Sequence, residues 1–266
     1  MFNNILIATD NSKAVHHAIS YTVHLFPNAS FHIVSVINTS DRSVPLTELI
    51  MDEMRVSAEK AVENAKALLI SRGARCVETA IRTGTPSREV VKHIAENNID
   101  LLAITRTAKE CSPHIGATCL HILELVHCPV LIVPANTPLK RPENVLNTTG
   151  GSKYSLSASE MAVLLADTFK VPLFSLYVGE GNGELALGAV ESLAEKLDVP
   201  FNCRIATHPK DRDILRCARS YDIMVFSRGY AGIRYKLSRL KKKMILGKLD
   251  REVIGDADIP LLIVGD

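Results

Sequence analysis

The sequence of 266 residues lacks the features of several protein classes. Its apolar runs, such as Val130–Val133, are far shorter than the roughly 20 residues that a membrane-spanning helix needs. The first residues, MFNN, contain no basic stretch and no small-residue cleavage site, which predicts a cytoplasmic protein without a signal peptide. The formal net charge is only +2, so we expect no membrane partner and no general affinity for nucleic acid.

The cysteines give no sign of a redox or zinc motif, because none of the six belongs to a paired C-x-x-C spacing. Cys76 and Cys128 lie at the start of predicted strands, where a cysteine usually serves as a small hydrophobic side chain. One group contains residue types that bind metals: Cys111, His114, Cys119 and His121. Its spacing fits no standard zinc pattern, and we predict no metal site.

What the sequence does contain is an internal repeat. Residues 5–13 (ILIATDNSK) and 145–153 (VLNTTGGSK) are both apolar strands that end in a polar turn before a helical pattern. Residues 127–134 (HCPVLIVP) and 258–264 (DIPLLIV) close the two halves in the same way. A duplicated domain explains both matches. The predicted divisions are a first domain at 1–135, a linker at 136–143 and a second domain at 144–266.

Each predicted domain alternates strands with helices. The expected strands are 2–9, 30–37, 74–82, 100–105 and 129–133, then 144–149, 172–178, 201–207, 222–227 and 259–264. Most are near-continuous apolar runs, which are typical of parallel sheets covered on both faces. The predicted fold class is α/β, with two tandem doubly wound (Rossmann-like) domains, each a five-stranded mainly parallel sheet flanked by helices. Ligand sites in such folds lie at the carboxyl ends of the strands.

The repeated segments, together with GTPS at 84–87 and DLLAI at 100–104, resemble the universal stress protein family in its tandem form. In that family the closing strand pairs with its counterpart in a partner domain. The resemblance therefore implies that residues 128–133 pair with 259–264 of the same chain, as in a pseudo-dimer. The resemblance does not decide whether the chain also forms a homodimer.

The resemblance also implies a class of ligand. ATP-binding members of the family carry an aspartate after the first strand, which meets the adenine. They also carry a G-x-x-G-x9-G-[ST] loop after the fourth strand, which wraps the phosphates. Glycines in such a loop let backbone N–H groups approach phosphate oxygens, and the following helix N-terminus adds positive potential. ATP and AMP are therefore candidate ligands, although no cofactor follows with certainty.

The first half keeps the base-binding part of this pattern and loses part of the loop. Thr105 and Ala108 stand where the first two glycines belong, whereas Gly116 begins a segment that preserves the end of the motif. The ligand-binding residues implied for this half are Thr9, Asp10, Val36, Ile104, Thr105, Gly116 and Thr118. Asp10 has a second interpretation, because Asp, Asn and Ser after a strand also cap the following helix.

The second half shows the reverse loss. It has a G-x-x-G at Gly229 and Gly232 and a later Gly247, which we take as its implied ligand-binding residues, but Gly150 replaces the aspartate. Losing two phosphate hydrogen bonds at about 1.5–3 kcal/mol each costs roughly 3–6 kcal/mol. Binding then weakens about a hundred- to ten-thousandfold. Tight ATP binding of the usual kind is therefore disfavoured, and another small anion remains open.

The strongest charge run is Arg234–Lys243 (RYKLSRLKKK). Apolar residues at helical spacing run beneath it, which is typical of a solvated helix face. The alternative is a site for an anionic ligand or protein partner. The run lacks the repeated aromatic residues on which single-stranded nucleic acid stacks.

No group of residues forms a recognisable catalytic array, and we predict no catalytic residue. His16 and His24 have no acidic neighbour at a suitable spacing. Residues 149–155 (TGGSKYS) are similar to the S-G-G-x-D-S loop of ATP pyrophosphatases, but Tyr154 stands at its aspartate position.

Three functions remain open. The first is a cytoplasmic regulatory protein of the universal stress type that binds an adenine nucleotide or other small anionic ligand through a degenerate site. The second is a ligand-free protein-interaction module. The third is a slow nucleotide hydrolase, and the missing loop residues favour a protein that is not an enzyme.

Overall fold

The computed structural model describes residues 1–40, 46–106, 115–179, 181–206, 211–228 and 248–265. The elements of the first half are β1 Asn4–Ala8, α1 Lys13–Leu25, β2 Ser30–Asn38, α2 Glu48–Ser71, β3 Cys76–Gly84, α3 Pro86–Glu96, β4 Leu101–Ile104, α4 Ala117–Leu125 and β5 Val130–Ile132. Those of the second half are β6 Val145–Thr149, α5 Lys153–Phe169, β7 Leu173–Val178, α6 Gly183–Lys196, β8 Phe201–Ala206, α7 Asp211–Ala218, β9 Ile223–Ser227, α8 Lys248–Asp256 and β10 Leu261–Val264.

Local sequence signals explain where several helices begin and end. Ser12 caps α1, because its side chain accepts a hydrogen bond from the Val15 N–H at 3.3 Å. α3 begins at Pro86, since a first-turn residue needs no N–H donor. α2 ends just before Gly73, whose φ of +95° favours glycine. In the described parts of the chain, no helix has both the length and the apolar content needed to cross a membrane.

The chain forms two compact units. The N-terminal unit consists of Phe2–Val126 and Val133–Lys140, and the C-terminal unit of Met1, His127–Ile132 and Arg141–Asp266. Strand β5, which closes the first half of the repeat, thus belongs to the unit that the second half builds. The predicted domain bounds, which keep this segment in the first domain, stay a prediction.

The N-terminal unit has the strand order β3-β2-β1-β4, and these strands are parallel. Ile7 of β1 pairs with Ile33 on one side and with Ala103 on the other. The chain moves outward from β1 to β3 and then returns past β1 to β4. Right-handed crossovers therefore put α1 and α2 on one face of the sheet and α3 and α4 on the other.

The C-terminal unit has the order β5-β10-β9-β6-β7-β8. Its strands are parallel except for β5, which runs antiparallel to β10 with Leu131 opposite Leu262. This is the pairing predicted between residues 128–133 and 259–264. The predicted α/β fold class, with mainly parallel strands alternating with helices in two tandem repeats, is confirmed.

Burial follows position within the sheets. Strands β1 and β4 are mostly buried, as expected when helices cover both faces of a sheet. The terminal strands β3 and β8 are largely exposed. The expectation that Cys76 packs as a buried side chain is therefore wrong, because Cys76 lies on such a strand and is exposed. Cys128 is half-buried and precedes β5 instead of opening it.

Candidate functional site

The turn between β1 and α1 presents Asp10 at the carboxyl end of a central strand. The Thr9 N–H donates to the Val34 carbonyl oxygen at 2.8 Å, which ties the turn to β2. Asn11 adopts a left-handed φ of +63°, which asparagine tolerates better than most residues. Asp10 Oδ1 accepts a hydrogen bond from the Ser12 N–H at 3.0 Å. Among the described residues, Asp10 Oδ2 has no hydrogen-bond partner.

A cavity of about 440 Å³ opens at this edge of the sheet. Its volume falls within the range of roughly 300–1,000 Å³ that is usual for small-molecule sites. The lining consists of Ala8, Thr9, Asp10, Val15, Val34, Val36, Pro86, Val90, Ile104, Thr105, Arg106, Gly116, Ala117, Thr118, Cys119 and Ile122. These residues come from the ends of β1, β2 and β4 and from the helices beside them.

The structure brings together the residues that the resemblance implied in the first half. Thr9, Asp10, Val36, Ile104, Thr105, Gly116 and Thr118 all line this cavity. They meet because the carboxyl ends of neighbouring parallel strands lie at one edge of a sheet. Contact of these residues with a ligand stays a prediction.

The N-terminus of α4 lines the same cavity as Asp10. Gly116 is the N-cap and has no side chain to satisfy the first N–H groups of the helix. Ala117 and Thr118, which carry two of those groups, line the cavity together with Arg106. The Gly116 N–H donates to the Arg106 carbonyl oxygen at 3.0 Å and so holds these two residues together. A helix N-terminus beside a guanidinium group is favourable for an anion.

The cavity also contains a cysteine that is not reactive. Cys119 is buried, and burial raises the pKa of its thiol to about 12, with the nearby Arg106 guanidinium opposing only part of the rise. At neutral pH the group is a neutral thiol, which is a poor nucleophile. Cys119 therefore contributes apolar surface to the lining.

The C-terminal unit repeats the geometry of the turn without the carboxylate. Gly151 stands at the position of Asn11 and has a φ of +71°. Its N–H donates to Thr149 Oγ1 at 3.4 Å, as the Asn11 N–H donates to Thr9 Oγ1 at 3.2 Å. Gly150 follows Thr149 where the first half has its aspartate, so the second turn offers no charged acceptor.

Several predicted positions lie outside the described residues, namely Ala108, Cys111, His114, Gly229, Gly232, Arg234–Lys243 and Gly247. Of the possible metal group, Cys119 is buried on α4 and His121 is exposed. The described ranges contain no cluster of three or more potential metal ligands. His16 lies 3.1 Å from Asn11 Oδ1 through its Nε2, and His24 is exposed.

Val34 and Arg106 are among the lining residues that sequence reasoning missed. Val34 precedes Val36 by two positions and so faces the same side of β2, which the strand period could have revealed. Arg106 directly follows Thr105, but no local pattern shows that it lines a cavity. Its role depends on the distant N-terminus of α4.

The chain was compared with known families and structures. Residues 1–134 match the family model described as the universal stress protein family. Over 150 residues, the chain is 30% identical to universal stress protein YxiE of Bacillus subtilis (strain 168), which covers 50% of this chain and 99% of that protein. A universal stress protein from Archaeoglobus fulgidus DSM 4304 has a TM-score of 0.79 at 19% identity, covering 99% of this chain and 96% of that one. A functionally unknown protein from Pseudomonas aeruginosa PAO1 has a TM-score of 0.68 at 13% identity, covering 99% and 92%. At these identities the two structures show a shared fold alone.

Proposed function

Because the chain belongs to the universal stress protein family, we propose that its N-terminal unit binds an adenine nucleotide, ATP or AMP, or a related small anion. Occupancy of the cavity beside Asp10 would then regulate the activity of the protein in the cell. The observation that carries the proposal is that a carboxylate, apolar walls and an anion-favouring helix end line one cavity. A cytoplasmic location and a homodimer stay predictions.

The Asp10 end of the cavity supports the base of such a ligand. Val34, Val36 and Ile104 provide apolar surface against which a flat heterocycle packs. The free Oδ2 of Asp10 is an acceptor for an exocyclic amino group, while Oδ1 stays engaged with the Ser12 N–H. This arrangement suits adenine better than a base that presents only carbonyl groups.

The other end supports the anionic part of the ligand. The first N–H groups of α4 and the Arg106 guanidinium line the same cavity as Asp10. A phosphate placed there would accept hydrogen bonds from both. Because Thr105 replaces the first glycine of the family loop, we expect fewer phosphate contacts and a weaker affinity than an intact loop provides.

The lining does not support hydrolysis as the main activity. Cys119 is a buried neutral thiol. Among the described lining residues, Asp10 is the one carboxylate, and the proposal assigns it to the base and not to an attacking water. We therefore infer binding without turnover.

The proposal is tested by calorimetric titration of the wild-type protein and of Asp10→Asn with ATP and AMP. The asparagine keeps an oxygen that accepts from the Ser12 N–H, so the turn should survive, but it loses the charge and the second acceptor oxygen. A charged hydrogen bond contributes about 1.5–3 kcal/mol, so affinity should fall about 10- to 100-fold. The thermal midpoint should stay unchanged.

Asp52→Asn is the matched control, because Asp52 lies exposed on α2 of the same unit and does not line the cavity. Its affinity should equal that of the wild type. Equal affinities in wild type and Asp10→Asn would remove Asp10 from the site. Absence of ATP and AMP binding to the wild type would contradict the proposal and favour the interaction-module hypothesis.

A further inference from the structure

The C-terminal unit has a cavity of its own, with a volume of about 340 Å³, between α5 and α6. Its lining is Thr149, Gly150, Gly151, Ser152, Ser155, Leu156, Ser159, Tyr177, Gly181, Asn182, Leu185, Ala186, Ala189 and Val190. No acidic or basic side chain is among these described lining residues. Hydroxyl groups lie on the β6, α5 and β7 side, and α6 forms the opposite wall with its N-cap Asn182 and several apolar residues.

This cavity is not the repeat copy of the cavity beside Asp10. Thr149 pairs with Tyr177. In the first half the register ends with Ala8 opposite Val34, and one step further along both strands it brings Thr9 next to Ser35, the residue that matches Tyr177. Side chains alternate along a strand, so Ser35 points away from the face to which Val34 and Val36 contribute. Tyr177 therefore lies on the opposite face of its sheet, beneath α5 and α6.

The core beneath this cavity is polar where the first half is apolar. By repeat and register, Asn147, Ser159 and Ser175 replace Ile7, Ile19 and Ile33. All three polar residues are almost fully buried, and Asn147 Nδ2 donates to the Ser159 and Ser175 hydroxyl oxygens at 3.0 Å each. Within the described residues, Asn147 Oδ1 is buried without a hydrogen-bond partner. Replacing buried apolar residues with polar ones, one of whose atoms has no partner, lowers the free energy of unfolding. The polar residues at these positions therefore suggest a function.

The polar core leads to the cavity wall. Ser159 Oγ donates to the Ser155 carbonyl oxygen at 2.9 Å, and Ser155 Oγ donates to the Ser152 carbonyl oxygen at 2.8 Å. All three serines line the cavity. A buried network of this kind keeps the hydroxyl groups at defined positions.

Tyr177 is the strongest indication of a ligand. Its side chain is 2% exposed and lines the cavity, yet its hydroxyl has no hydrogen-bond partner among the described residues. Glycines surround the ring: a Cβ at Gly181 would lie 2.9 Å from the hydroxyl oxygen, and one at Gly183 would lie 2.8 Å from the ring. The hydroxyl oxygen itself is accessible in the cavity, where a bound molecule can form a hydrogen bond with it.

We propose that this cavity binds a small uncharged molecule that bears hydroxyl groups and has one apolar face, as a nucleoside or a sugar does. The Tyr177 hydroxyl and the serines of α5 bind its polar side, and Leu156, Leu185 and Ala189 cover its apolar side. The described lining has no charged side chain, and the side chains of Ser152 and Asn182 already accept hydrogen bonds from N–H groups at the starts of α5 and α6, so an uncharged ligand fits this lining. The site is independent of the one beside Asp10.

Saturation-transfer NMR with adenosine and with D-glucose tests the proposal and distinguishes the two sources of this chemistry. We expect at least one probe to bind at millimolar concentration. Tyr177→Phe, which keeps the ring, should weaken binding about five- to tenfold, the effect of one lost hydrogen bond. Ala189→Phe, at an exposed position of the wall, should fill the cavity and abolish the binding of D-glucose. For adenosine it should abolish the part of the binding that Asp10→Asn leaves unchanged.

Gly188→Ala is the matched control on α6, because a Cβ there meets no atom within 4 Å and the residue does not line the cavity. It should bind as the wild type does. Failure of both probes to bind the wild type would overturn the proposal. Binding that persists in Ala189→Phe and falls in Asp10→Asn would assign the probe to the other cavity and would also overturn it.

Discussion

Single side chains in the N-terminal unit connect its stability to pH. His93 on α3 is 5% exposed, its Nδ1 accepts from Arg82 Nε–H at 3.2 Å, and its ring centroid lies 5.9 Å from that of His32. Burial is the main cause that lowers the His93 pKa below its ordinary value of 6.5, and Arg82 and His32 lower it further. Glu96 and Glu78 oppose the shift. His93 is thus neutral in the folded protein at neutral pH.

We predict that the free energy of unfolding falls as the pH drops below about 6.5. Below that pH, His93 is protonated in the unfolded chain but stays largely neutral in the folded chain. Protons therefore bind preferentially to the unfolded state and favour unfolding. Urea unfolding of wild type and His93→Gln between about pH 5 and 8 measures this. The variant, which cannot titrate at this position, should lose less stability in acid. Identical pH profiles would show that His93 is not responsible.

Among the secondary-structure elements, α4 has the clearest dual role. It packs beside α3, its residues Ile122 and Leu123 are buried, and it turns its uncapped N-terminus to the cavity. Gly116 has φ −64° and ψ 145°, an extended conformation that other N-cap residues adopt freely. A substitution here can therefore change the helix end without straining the backbone.

We predict that Gly116→Asp stabilises α4 and weakens binding of ATP. An aspartate at the N-cap complements the helix dipole, which contributes about 0.3–1 kcal/mol, but its charge repels a phosphate at the same place. Gly116→Asn is the neutral control of equal size and should bind ATP more tightly than the aspartate variant. Thermal unfolding and calorimetric titration measure both effects. Equal ATP affinities in the two variants would place the phosphate elsewhere.

At the level of the whole molecule, the division into compact units departs from the repeat. Strand β5 is encoded in the first half and pairs with β10 in the C-terminal unit. Val130, Leu131 and Ile132 are buried there, so the C-terminal unit needs these residues to cover its apolar surface. Without β5, the backbone edge of β10 would be unpaired, which invites aggregation.

We predict that a fragment of residues 127–266 folds more stably than one of residues 141–266. Both contain β6–β10, but only the longer one contains β5. The longer fragment should unfold cooperatively and stay monomeric at low concentration. The shorter one should aggregate or unfold at lower urea. Light scattering measures aggregation and urea titration measures the stability of the two fragments. Equal results for both fragments would show that the C-terminal unit folds without β5.

The predicted elements agree best with the structure where local patterns are strong. Helix α2 spans Glu48–Ser71, and local residues mark both ends, a capping threonine at its start and a glycine just after its end. The strand expected at 74–82 spans Cys76–Gly84. This strand is largely exposed, so its apolar periodicity is weak and marks its bounds less sharply.

The amino-acid sequence was sufficient for the fold class and the repeat, which depend on local signals, namely apolar strands, turn residues and helix caps. The resemblance to a family supplied the residues beside Asp10, and the structure shows that they line one cavity because parallel strands bring their carboxyl ends together. The exposure of Cys76, the position of Arg106, the unit that β5 joins and the cavity at Tyr177 could not be read in this way. Each depends on contacts between segments far apart in the chain, and such contacts form only when the whole chain packs.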